Sequence, residues 1–97
     1  GVCIYFTMGF SARNLRDRTA VYHQIEHHIR QAILDAGGSL SHHHGIGKIR
    51  MGFLPQIQTP AAIALVRQLK RAVDPTNTFA IANNVCGLPE GAAPPPA

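Results

Sequence analysis

Residues 41–50 read Ser-His-His-His-Gly-Ile-Gly-Lys-Ile-Arg. Three consecutive imidazoles, a Gly-x-Gly and two cations put several chemistries into one decapeptide. The run lies mid-chain, between an apolar helical pattern and an apolar segment, so it is no terminal purification tag. Histidine has an unperturbed pKa of about 6.5, and small environmental shifts set its charge at working pH. It is also the commonest general acid–base side chain. Metal ligation is the rival use. In an extended stretch, successive side chains point to opposite faces. Without a bend, at most two of His42, His43 and His44 can converge on one point. That argues against one metal ion held by all three, and favours one or two imidazoles facing a ligand while another braces the backbone. Gly45 and Gly47 permit close backbone approach, and a helix beginning just after them would offer free N–H groups. Lys48 and Arg50 add positive charge. The decapeptide reads as a pocket for an anionic substrate with a proton donor or acceptor beside it, Gly45, Gly47, Lys48 and Arg50 serving the anion. A His-rich surface loop is the plainer alternative.

A second histidine cluster is a weaker signal. His23-Gln24-Ile25-Glu26-His27 matches H-x-x-E-H, the inverted zinc-protease motif. On a helix, His23 and His27 share a face, but a zinc site needs a third protein ligand. The only acids after His27 are Asp35, Asp74 and Glu90, and none is an evident partner. These histidines are expected to face solvent, and no metal site is expected. Tyr5 lies in an otherwise apolar run with Val2, Ile4 and Phe6, where the plain expectation is a core or edge tyrosine whose hydroxyl finds a partner. Cys3 and Cys86 form no C-x-x-C and define no disulfide framework; both are expected to be small core residues.

Several elements must position these groups. "VCIYFTMGF", residues 2–10, is rich in β-branched and aromatic types and predicts a largely buried strand. Asp17 can cap a helix running to about Ala36. Its buried face is Val21, Ile25, Ile29 and Ile33, widened by Tyr22 and Ala32, and Gly37-Gly38 stops it. Ser39 to His44 is expected to be extended, and Lys48 to Leu54 to form a short helix before Pro55. Thr59-Pro60 opens a further helix, with a Thr cap and Pro at the first helical position. Ile63, Val66, Leu69 and Val73 keep helical spacing until Asp74-Pro75. "TNTFAIANNVCGL" is an apolar closing segment with Asn turns. The expectation is an α+β fold of one or two strands plus two to three helices over residues 1–88, with a disordered Pro/Ala-rich tail over 89–97.

The bulk numbers narrow the function. Ninety-seven residues make one domain or less, and "GVCIYFTMGF" opens as a finished apolar strand, so the chain is expected to be the C-terminal piece of a longer protein. The formal net charge is +4, but only 14% of residues are charged. The cations are scattered, without the basic, aromatic-interleaved stripe of a nucleic-acid surface, so no nucleic-acid partner is expected. No run approaches the length of a membrane span.

"GVCIYFTMGF", "VYHQIEHHIRQAILDAGGSLSHHHGIGKIRMGFL" and "RAVDPTNTF" together resemble the C-terminal end of the alkyldihydroxyacetonephosphate synthase (alkylglycerone-phosphate synthase) family. These are ether-lipid enzymes of the vanillyl-alcohol-oxidase type of FAD proteins. The resemblance covers about residues 2–84, and "GGSLSHHHGIGK" is its most specific element. The wider FAD-linked oxidases and D-lactate dehydrogenases resemble it only through a looser G-E-H-G-I-G. The resemblance implies a partial substrate (cap) domain, with Tyr5 as the acid/base and His42, His43 and His44 as the histidine triplet important for activity. It implies FAD used without net oxidation or reduction. A base takes a C1 proton from acyl-dihydroxyacetone phosphate, the fatty acid leaves, the flavin holds the glycerone phosphate, and a fatty alcohol attacks. Further expectations are a flavin-binding half outside this chain, a homodimer, and a peripheral membrane contact. A cytoplasmic or membrane-surface location is expected in a bacterium; animal relatives are peroxisomal. An FAD-linked oxidase or D-2-hydroxyacid dehydrogenase, and a non-catalytic His-rich metal-binding module, are the alternatives.

Overall fold

The computed structural model describes residues 1–91. Helix α1 spans Arg18–Asp35, α2 Leu54–Ile57 and α3 Pro60–Val73, and single 3₁₀ turns occupy Met51–Phe53 and Asn84–Gly87. The chain divides into two compact units, Gly1–His42 and a second from His43 onward.

Among the described residues there is no strand, so the expected α+β class is corrected to an all-helical one. Every residue from Gly1 to Phe10 is exposed, Val2 at 90% and Tyr5 at 73%. The reason is physical. A strand exists only as one side of a hydrogen-bonded ladder, and β-branched and aromatic residues express their preference only against a paired, half-buried surface. Among the described residues, no strand ladder forms along residues 2–10. Cys3 is accordingly exposed rather than in a core.

The rest of the first unit follows its local signals. The Asp17 carboxylate accepts the Ala20 N–H at 2.9 Å, capping α1. Val21, Ile25, Ile29 and Ile33 are all half-buried, as their four-residue spacing requires, whereas Tyr22 and Ala32 are exposed, and the covered face widens through Glu26, Arg30 and Leu34 instead. Beside this face, the half-buried Arg30 and Glu26 form an ion pair at 2.6 Å. At the C-terminus the Gly38 N–H donates to Ile33 O and the Gly37 N–H to Leu34 O, both at 2.8 Å. This paired closure needs a left-handed residue after the cap, and Gly37 supplies it with φ +78°.

In the second unit, the apolar core is Leu54, Ile63, Val85 and Leu88, with Ile46 and Met51 packed against it. Two local expectations are corrected. Pro55 does not end a helix; it sits in the first turn of α2, where its missing N–H costs nothing. In α3, only Ile63 of the expected stripe is buried, while Val66, Leu69 and Val73 are exposed. The core lies on the side of α3 marked by Ile63, Arg67 and Lys70, so the apolar arc is only grazed. The start of α3 is as read: Thr59 accepts the Ala62 N–H at 3.2 Å and Pro60 follows it.

Asp74 ends α3 and organises what comes next. It is buried, pairs with Lys70, and accepts the N–H groups of Thr78 and Phe79 at 2.9 Å each. Lys70 also donates to Phe79 O. These hydrogen bonds, led by that from Lys70, pull the Asp74 carboxyl from 3.8 down to about 2, against the opposing effect of burial. The closing segment then turns repeatedly, with Asn77, Ala80, Ala82 and Asn84 in the left-handed region. Residues 89–91 of the expected tail are described and meet α3: Arg67 donates to Leu88 O at 2.7 Å and Pro89 O at 2.9 Å, and Arg71 pairs with Glu90 at 2.7 Å. The rest of that tail, residues 92–97, lies outside the described residues.

Candidate active-site loop

The residues singled out for chemistry are solvent-facing. Tyr5, His42, His43, His44, Gly45, Gly47 and Lys48 are exposed, and Arg50 is half-buried. The backbone does not run straight through the triplet. It bends at each of residues 42–44, which removes the alternation expected of an extended stretch. The rings of His43 and His44 consequently meet edge to face, with centroids 4.1 Å apart. The contact fixes the two rings relative to each other while both residues stay exposed to solvent.

The glycines then take conformations that other residues rarely adopt. Gly45 has φ +73° and Gly47 φ +58°. A Cβ added at Gly45 would meet nothing within 4 Å, so the space above that backbone is open to a flat ring or an anion. Residues 47–49 form a turn and the first helical turn waits until Met51. The expected helix N-terminus beside Gly47 is therefore absent, and any anion held there would use the turn's N–H groups and Lys48 instead. Arg50 folds back on the loop and donates to Gly45 O at 3.3 Å. It braces this loop from within.

The loop rests on the second unit's core. Ile46 packs against the Leu54–Ile63–Val85–Leu88 cluster, and the Asn84 N–H donates to Gly47 O at 3.2 Å. An apolar recess of about 250 Å³ opens alongside, lined by Ile46, Leu54, Ala62, Ile63, Val66 and Val85, with Gln58 and Asn84 as its polar members. Asn83 and Asn84 carry no motif; their Asn-Asn pairing marks a turn, and only the fold shows that this turn serves the glycine loop.

The helix histidines belong to the first unit. His23, His27 and His28 are exposed on α1, and His28 Nδ1 contacts Gln24 O at 2.7 Å. Among the described residues, no group of three or more His, Cys, Asp or Glu side chains is placed to hold a metal ion. No described helix is long and apolar enough to cross a membrane.

Residues 1–81 match the family of FAD linked oxidases, C-terminal domain; the chain belongs to that family. Within it, the chain is 44% identical over 91 residues to an alkyldihydroxyacetonephosphate synthase of Caenorhabditis elegans, and 36% identical over 75 residues to one of Dictyostelium discoideum. These alignments cover 92% and 77% of this chain but only 15% and 12% of those relatives. An uncharacterised FAD-linked oxidoreductase of Mycobacterium tuberculosis is 33% identical over 42 residues, 43% of this chain and 9% of its own length. No solved structure matches the chain.

Proposed function

We propose that this chain is the C-terminal portion of an FAD-dependent alkyldihydroxyacetonephosphate synthase, which exchanges the acyl group of acyl-dihydroxyacetone phosphate for a fatty alcohol. One observation carries the reading: 44% identity to a protein of that name over 92% of the chain, a span that includes the whole His42–Arg50 loop. The looser match to an FAD-linked oxidoreductase covers less than half of the chain.

The residues present fit a flavin and a phosphate ester. The open face above Gly45 accepts a flat ring or an anion without a steric clash, and the neighbouring imidazoles and Lys48 are uncovered. FAD, when bound, would supply an electrophilic ring, with no net redox change over the exchange. The rest falls to side chains. Exchange at C1 needs a base to take one proton before the acyloxy group leaves as a carboxylate. The alcohol oxygen then bonds to C1 as its own proton is released to solvent, and an acid returns one proton to C1. Tyr5 is assigned that proton. His42 orients the substrate carbonyl, and the touching His43 and His44 rings exchange protons with the bound substrate, a task suited to imidazole at neutral pH. Gly45, Gly47 and Lys48 hold the phosphate by turn N–H groups and one ammonium, and Arg50 keeps the loop in shape. Residues outside this chain hold most of the flavin.

The test uses the full-length enzyme. Tyr5→Phe should lower alkyl transfer by at least about 10²-fold, the usual worth of a positioned acid–base, with bound flavin unchanged by its visible absorbance. Near-normal turnover would remove Tyr5 from the mechanism. His43→Ala and His44→Ala should each lose a comparable part of kcat, and the double variant little more, since two groups acting as one unit are not additive.

A further inference from the structure

The glycine loop has no hydrogen-bond ladder of its own. Arg50 holds Gly45 O and Ile46 O from within, and the loop's remaining fixed points come from a segment about 40 residues later in the chain. Three contacts converge there. The Asn84 N–H holds Gly47 O at 3.2 Å. The Asn83 side-chain oxygen is enclosed beside Gly47, 3.9 Å from where a Cβ would stand on that glycine. Ile46 within the loop and Met51 after it pack against the Leu54, Ile63, Val85 and Leu88 cluster. The segment is itself tightly seated. A Cβ on Gly87 would strike the Met51 sulfur and lie 2.7 Å from Ala82 O. Ala82 is held at φ +51°, a conformation that alanine keeps only where the surroundings impose it, and Asn84 sits at φ +53°, which asparagine tolerates. One side chain fastens the far end: Arg67, from the middle of α3, donates to both Leu88 O and Pro89 O. Most of this segment lies past residue 81, where the family match ends.

We infer that Asn83–Leu88, fastened by Arg67 and fitted under Met51 through Gly87, is the positioning element for the Gly45–Gly47 loop. Arg67 and Gly87 thereby act on substrate binding without touching substrate. The physical logic is that of a preorganised anion site. A turn binds a phosphate through its N–H groups only if their directions are fixed beforehand, because ordering the turn during binding would weaken affinity by the entropy of that ordering. The inference rests on the proposed reading of the loop as the phosphate-binding part of the site.

The experiment compares full-length, flavin-loaded Arg67→Met, Arg67→Lys and Gly87→Ala with the parent enzyme. The readouts are KM for acyl-dihydroxyacetone phosphate, kcat, inhibition by inorganic phosphate, and amide hydrogen exchange of the peptide covering residues 45–49. Losing the two carbonyl hydrogen bonds of Arg67 is expected to raise KM and the phosphate inhibition constant about five- to tenfold. It should leave kcat within about twofold and speed exchange at residues 45–49, with α1 exchange unchanged. Gly87→Ala is expected to act in the same direction, because the clash with Ala82 O is with backbone and must displace the turn. Arg67→Lys, which keeps a donor, should recover part of both effects. A lower Tm with unchanged KM, phosphate inhibition and loop exchange would overturn the inference and reduce Arg67 to a merely structural role. Faster loop exchange in a protein whose parent is not inhibited by phosphate would support the brace, and would instead sink the assignment of the loop to phosphate.

Discussion

Asp74 shows how one side chain can hold a turn. It gathers Lys70 and two backbone N–H groups, and its carboxyl is lowered to about 2 from 3.8. A carboxyl whose folded pKa is depressed stabilises the fold fully above its unfolded value. That contribution fades as pH falls from about 3.8 towards about 2. Asp74→Asn should therefore lower the Tm of the full-length enzyme at neutral pH, and the gap to the parent should close through that acid window; a gap that persists unchanged at the acid end would contradict the assignment. The sequence announces Asp74 only as a helix stop before proline, since its partners Thr78 and Phe79 follow it and make no pattern. The candidate site residues divide in the same way. The triplet and the glycines are visible as types, because three imidazoles beside Gly-x-Gly have few other uses. What no spacing rule gives is the bend that sets His43 against His44, or the turning of Arg50 inward onto Gly45 O.

Helix ends were the most legible features, because capping is decided within four residues. Asp17 and Thr59 cap the two longer helices as their types imply. Replacing either by Ala is expected to cost about 1 kcal/mol, read as a shift in denaturant midpoint at constant m-value. Gly38→Ala should cost more than either: a Cβ there would lie 2.6 Å from Ile33 Cγ2 and 2.8 Å from Ile33 O. A stability loss no larger than that of the cap variants would show that the α1 terminus relaxes freely. Faces were less legible than ends. Hydrophobic spacing states that α3 has an apolar arc, not which part of it finds cover. Here Ile63 is buried at 7% while Leu69 and Val73 are 61% and 72% exposed. Residues 2–10 teach the same lesson for strands: composition supplies the preference, but only a partner supplies the ladder.

Taken whole, the described residues bury few large apolar side chains: Leu40, Phe53, Leu54, Ile63, Val85 and Leu88. Against them stand exposed Val2, Ile4, Phe6, Leu65, Leu69 and Val73. A chain of this size buries a modest fraction of its surface even when well packed, and the chain spans about 15% of the length of the nematode relative it matches. Expressed alone, the 97 residues should bind a hydrophobic dye such as ANS, melt without a sharp transition, and retain no FAD through gel filtration. A cooperative melt with stoichiometric flavin would show that these residues complete a cofactor domain unaided.

Local pattern was enough to fix the helix caps, the glycine stop of α1, the candidate loop and the family to which the chain belongs, because each depends on residue types only a few positions apart. The absence of a strand among the described residues, the half-used face of α3, the contact of two imidazoles and the bracing of Gly47 by Asn84 came only with the tertiary structure. Each of those depends on which distant segment arrives to share a hydrogen bond or cover a surface, and the chain meets such partners only by folding.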